Sequence, residues 1–197
     1  MEKINRSENA LKVAITGPES TGKTELAKFL AQHYGCSYIP EYARTYVENL
    51  HRKYNYLDVV HIARKQVELE QEFTERAEEY LFFDTELIIT KIWFEQVYGT
   101  CPAWIDEYLR KSQIDLYLLC ATDLPWVPDP VRENGGEMRE KLYALYEANI
   151  RNYGFPFRVI HGKAWERWDC ALAAIKEFKA QKPQNNRHSS MDFSGRL

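Results

Sequence analysis

Gly17-Pro18-Glu19-Ser20-Thr21-Gly22-Lys23-Thr24 is the stretch on which the fold turns. It fits the pattern G-x-x-x-x-G-K-[S/T]. The two glycines let the backbone curl so that its N–H groups, those of Glu19, Ser20 and Thr21 among them, converge on one anion. Lys23 then sets a charge against the β and γ phosphates of a nucleotide, and the Thr24 hydroxyl is a ligand for Mg²⁺. The helix that follows turns its N-terminal dipole toward the same phosphates. Taken alone, the pattern also turns up in ordinary glycine-rich turns. Here an apolar run, LKVAIT (Leu11–Thr16), precedes it, and Leu26, Phe29 and Leu30 recur at helical spacing after it until Gly35. Strand, phosphate loop and helix are predicted in that order.

Outward from this loop, residues 36–39 read as a second short strand closed by Pro40, because proline holds its predecessor extended. Residues 41–80 read as helical and charged, with Val59, Ile62, Ala63 and Val67 on one imperfect apolar face. A compact strand over 81–83 ends on Asp84, a helix runs over 86–98 to Gly99, and a shorter one over 104–111. Residues 115–120 (DLYLLC) form the next strand. The proline- and glycine-rich ATDLPWVPDPVRENGGEMRE (121–140) reads as a surface lid. A helix over 137–153, a strand over 157–160 and a helix over 164–179 complete the pattern. Five short apolar strands alternating with helices predict an α/β fold, a five-stranded parallel sheet flanked by helices on both faces. The expected organisation is one P-loop domain over 11–180, with a disordered N-terminus over 1–10 and a disordered tail over 181–197.

Composition bounds the function. With 197 residues, 45% of them hydrophobic, one domain can bury a full core. A net charge of −3 with both signs interspersed offers no field for nucleic acid, so a small-molecule partner is expected. Cys36, Cys101, Cys120 and Cys170 are far apart and form no C-x-x-C pair, which argues against a zinc site or redox dithiol. The polar N-terminus lacks a signal-peptide core and no apolar run approaches a membrane span; a cytoplasmic enzyme is expected.

A phosphate loop that handles Mg·ATP needs a carboxylate near the metal. Asp84 follows a predicted strand, where α/β proteins bind ligands, and also suits a helix N-cap. Glu86 is a second acid close by. Glu41 lies just past the second strand, positioned to take a proton from an acceptor hydroxyl, and Arg44 falls three residues on, as a ligand to the acceptor or a support for Glu41. Arg132 and Arg139 lie in the lid, where a guanidinium can meet charge developing on a migrating phosphoryl group. Trp93 and Trp126 are candidates to stack on an aromatic acceptor, with core packing as the competing use.

Taken together, LKVAIT–GPESTGKT, IPEYAR, FFDTE followed by TKIWFEQVYG, YLLCATDLPWVPDPVRENGGEMRE and YGFP closely resemble the nicotinamide riboside kinase domain of NadR-type proteins over about 11–161. The resemblance implies a nucleoside and nucleoside-monophosphate kinase-like fold with a lid, using ATP and Mg²⁺ to phosphorylate the 5′-hydroxyl of nicotinamide riboside. By position it implies phosphate and metal roles for Lys23 and Thr24, an acid role for Asp84, acceptor-side roles for Glu41 and Arg44, and lid roles for Arg132 and Arg139. It leaves the choice of base between Asp84 and Glu41 open. Two departures stand out. About ten residues precede the first strand where bifunctional NadR proteins carry an adenylyltransferase, so that second activity is not expected; and an Asp-Thr-Asp-like block reads Asp84-Thr85-Glu86. Two rival readings remain: a kinase of another nucleoside, a nucleotide or a vitamin such as thiamine, and an ATP-binding regulatory module. Where a guanine-reading GTPase carries N-K-x-D, this chain reads CATDLP.

Overall fold

The computed structural model describes residues 10–130, 132 and 134–182. Along the chain run β1 (Leu11–Thr16), α1 (Lys23–Tyr34), β2 (Tyr38–Ile39), α2 (Tyr42–Glu48), α3 (Tyr56–Arg76), β3 (Tyr80–Asp84), α4 (Leu87–Tyr98), α5 (Ala103–Arg110), β4 (Leu116–Cys120), α6 (Gly136–Asn152), β5 (Phe157–Ile160) and α7 (Trp165–Gln181). The five strands form one sheet in the order β2-β3-β1-β4-β5, and every pairing is parallel.

The strand sequences dictate how that sheet is covered. Every residue of β1, β3 and β4 is buried, as a parallel sheet sandwiched between helices requires. Period-two alternation divides their side chains between two cores. Leu11, Val13, Ile15, Tyr80, Phe82, Leu116 and Leu118 pack with Leu26, Leu30 and Ile175 of α1 and α7. Ala14, Leu81, Phe83, Tyr117 and Leu119 pack on the other face with Val59, Ala63, Ile88, Ile92, Phe94, Ile105, Leu109 and Ile150.

One reading needs correction. The helix read through 41–80 is two helices separated by residues 49–55, because Asn55 starts a new one: its side chain accepts from the Leu57 and Asp58 amides, and Asp58 accepts from the Asn55 amide. Arg52 and Tyr46 also bind Asp58, which ties the connecting segment and α2 to the start of α3 and holds the Asp58 carboxyl well below its ordinary range. The expected boundaries at 10 and 181 also shift. Ala10 is buried in the core and Gln181 still belongs to α7; the rest of the two segments expected to be disordered, apart from Lys182, lies outside the described residues.

Candidate active site

The strand order reverses at β1, so the C-terminal ends of β1, β3 and β4 open a crevice beneath the phosphate loop. The loop's geometry follows from its residues. Gly17 has φ 136°, and a Cβ there would meet the Cys120 carbonyl oxygen at 2.8 Å, so no other residue fits against the end of β4. Gly22, at φ 75°, begins α1 and leads directly into Lys23 and Thr24. Within the loop the Thr21 hydroxyl donates to the Pro18 carbonyl at 2.8 Å, and the Lys23 ammonium donates to the same carbonyl at 2.7 Å.

Next to Thr24, at the end of β3, is Asp84. It is 2% exposed, its Oδ1 finds no partner among the described residues, and burial raises its pKa while the Thr24 hydroxyl and the Lys23 charge oppose that rise. A hydroxyl and an unsatisfied carboxylate oxygen beside a phosphate loop fit a hard cation that keeps several of its waters, so these residues suit Mg²⁺. The N-cap role read for Asp84 belongs instead to Glu86, whose Oε2 accepts from the Ile88 amide at 2.7 Å. Glu86 is buried. Burial pushes its pKa up to about 8, against the Ile88 amide and with the help of the Glu70 charge.

A cavity of about 360 Å³ extends from the phosphate loop toward α2 and α4. Lys23, Glu41, Arg44, Trp93 and Arg132 all line it, so the fold gathers residues read from four separate segments of sequence. Glu41 is the first residue before α2, and burial raises its pKa, with Lys23 pulling it back. Trp93 stands edge-on to Tyr54, ring centroids 4.8 Å apart, and the Thr90 hydroxyl donates to Gln66 at 2.6 Å on the cavity floor.

The lid lies against the phosphate loop. The Ser20 hydroxyl donates to the Val127 carbonyl and accepts from the Val127 amide, and the Glu19 carboxylate accepts from both the backbone and side-chain nitrogens of Asn134. Two residues read as site residues are differently employed. Arg139, read as a lid arginine facing phosphate, is 6% exposed and gives its guanidinium to the carbonyls of Glu19, Ser20 and Leu124 at 2.8–3.0 Å; it does not line the cavity. Trp126, read as a stacking residue, packs against Gly135, where a Cβ would come within 3.2 Å of its ring, and it too stays outside the cavity lining. Sequence reading passed over Gln66, Thr90, Tyr54, Asn134 and Asp129. Only Asp129, three residues before Arg132 in the lid, carried a signal, that of an ion pair within a turn.

The sheet order, the phosphate loop and the lid define a P-loop α/β protein with the fold of nucleoside and nucleotide kinases. The chain belongs to a family described as an AAA domain, whose model matches residues 12–167. Among curated proteins it is 25% identical over 138 residues to the trifunctional NAD biosynthesis/regulator protein NadR of Salmonella typhimurium, and 26% identical over 137 residues to that of Escherichia coli. Each match takes in 66% of this chain and 33% of the relative, so the chain spans about a third of the length of these proteins. A crystal structure of a NadR protein in complex with NAD and AMP-PNP superposes with a TM-score of 0.71 at 20% identity, over 91% of this chain and 52% of that one. Deoxyadenosine kinase from M. mycoides with bound dATP gives a TM-score of 0.60 at 18% identity, over 84% of this chain and 99% of that one. The similarity to NadR-type proteins and the five-stranded kinase-like fold, both read from the sequence, are borne out. Among the described residues no helix is long and apolar enough to cross a membrane, and no cluster of three or more His, Cys, Asp or Glu side chains is arranged to hold a metal.

Proposed function

We propose that this chain transfers the γ-phosphoryl group of ATP to the 5′-hydroxyl of nicotinamide riboside, giving nicotinamide mononucleotide. The observation that carries the reading is the single cavity that joins the phosphate loop to Glu41, Arg44 and Trp93: donor and acceptor machinery share one domain, as a kinase requires and a nucleotide-controlled binding module does not. Its volume is of the size that takes a small organic ligand. Support for this acceptor comes from the similarity to NadR, one of whose structures is a complex with NR.

The phosphate loop would cradle the triphosphate on inward N–H groups, and Lys23 would leave the Pro18 carbonyl for the β and γ oxygens. Thr24 and Asp84 would hold Mg²⁺, which when bound offsets phosphate charge. With Asp84 so engaged, Glu41 is the better base. It faces the cavity, and its raised pKa brings it closer to neutrality, where a general base is most effective. Glu41 would accept the hydroxyl proton as the oxygen attacks phosphorus, while Arg44 and Arg132 would stabilise the charge spreading over the transferred group. Tyr54 and Trp93 offer an aromatic wall to a cationic pyridinium ring.

Coupled ADP release with product identified by mass, over nicotinamide riboside, common nucleosides and deoxynucleosides, nucleoside monophosphates and thiamine, tests this reading. Selective formation of nicotinamide mononucleotide is expected, with a fall of about 10²–10³ in kcat/KM for Lys23→Met. The similarity to deoxyadenosine kinase along almost its whole length makes deoxynucleosides the main competing acceptors. Preferential turnover of one of them would keep the kinase and replace the substrate.

A further inference from the structure

We propose that Asp129 is a positioning residue for phosphoryl transfer: its carboxylate holds Arg44 of the acceptor side and Arg132 of the lid together, setting the two guanidiniums as a pair at the cavity. This deepens the kinase reading above and rests on it for the reaction, though the geometry stands apart from the identity of the acceptor.

Arg44 lies in α2 and Arg132 in the lid, and both line the cavity. They meet on one atom. Oδ2 of Asp129 accepts from both terminal nitrogens of Arg44 at 3.2 Å and pairs with Nε of Arg132 at 2.9 Å. Two cations brought this close repel, and an anion between them turns the repulsion into a three-centre attraction. The side chains of Asp129 and Arg132 are 21% and 24% exposed and that of Arg44 35%, so the group is drier than an open surface pair. Glu48 at 3.2 Å and Glu41 at 3.8 Å also approach Arg44, but both come from the same stretch of chain as Arg44, whereas Asp129 comes from the lid.

The bridge continues beyond Asp129. Arg132 donates to the Val127 carbonyl at 2.6 Å, and Val127 is the lid residue that exchanges hydrogen bonds with Ser20 of the phosphate loop. Ser20, Val127, Arg132, Asp129 and Arg44 therefore form a polar chain from the phosphate loop to the acceptor-side helix. Cutting it at Asp129 removes the anchor that holds Arg132, and through it Val127, to Arg44, and frees both arginines to part. Asp129 itself does not line the cavity and acts through the two arginines.

Asp129→Asn keeps the shape and removes the charge. Assayed in the full chain with whichever hydroxyl acceptor the parent phosphorylates, it is expected to lower kcat about tenfold while KM for ATP changes less than threefold, with Asp129→Glu recovering part of the loss. Added to Arg44→Gln, it is expected to cost little more, since the bridge is then already broken; losses that simply multiply would overturn the proposal, as would parental kinetics for Asp129→Asn alone. Hydrogen exchange at the Val127 amide supplies a readout that needs no turnover. Exchange about tenfold faster in Asp129→Asn than in the parent is expected, with the β1 amides unchanged. Equal exchange at Val127 in the two proteins would overturn the bridge even if no acceptor were phosphorylated, an outcome that by itself would count only against the kinase reading.

Discussion

Glu86 illustrates how a single buried side chain sets the behaviour of its surroundings. Enclosed at the start of α4, it retains its proton up to about pH 8, whereas the same group in the unfolded chain releases it near its ordinary value of 4.5. Between those values unfolding releases a proton, so stability falls as pH rises through the window. Glu86→Gln removes this contribution while keeping an oxygen for the Ile88 amide. The substitution is expected to be nearly neutral at pH 5 and stabilising by about 1–3 kcal/mol at pH 8, read from urea unfolding at the two pH values. A residual slope of the same sign will persist, because burial also raises Glu41, Glu70 and Asp84.

Among the elements, the joint between the phosphate loop and α6 depends on Arg139. Its three carbonyl partners belong to the loop crest and the root of the lid, so the guanidinium fixes the face of the loop that points away from phosphate. Holding those carbonyls outward favours the inward orientation of the neighbouring N–H groups, which is what an anion site needs. Arg139→Ala strands carbonyls that the buried guanidinium satisfied. A stability loss of about 2–4 kcal/mol and a rise of roughly tenfold in KM for ATP are expected from denaturant unfolding and steady-state kinetics. Lysine cannot reproduce a planar fork that reaches three acceptors, so Arg139→Lys should recover only a minor part of either loss.

At the scale of the whole molecule, the nucleotide site lies where β1, α1, β4 and the lid converge, so occupying it stabilises the fold by linkage. With Mg²⁺ and a non-hydrolysable ATP analogue at 100 times its Kd, the gain is about 2.7 kcal/mol, or roughly 5–10 °C in melting temperature for a chain of this length. Differential scanning fluorimetry reads this directly. Lys23→Met should lose most of the shift, while Trp93→Ala, in α4 and outside the phosphate loop, should retain it and weaken acceptor binding instead.

The sequence by itself determined the sheet, the phosphate loop and the succession of most helices. Each of these rests on local information: a run of apolar residues, a glycine demanded by a positive φ, a periodicity that holds over one element. It also singled out Glu41, Arg44, Asp84 and Arg132 as candidates, because residue type and proximity to a strand end are visible in one dimension. What only the tertiary structure decided is how these residues are employed. Arg132 and Arg139 lie seven residues apart in one polar stretch and look alike in sequence, yet one reaches the cavity and the other is consumed by backbone carbonyls. Asp129 acquires its second partner only because α2 and the lid meet across the cavity. Gln66, Thr90 and Tyr54 enter the lining only once α3, α4 and the 49–55 segment are packed. Hydrogen-bond satisfaction and burial are properties of distances between segments far apart in the chain, and no local pattern encodes them.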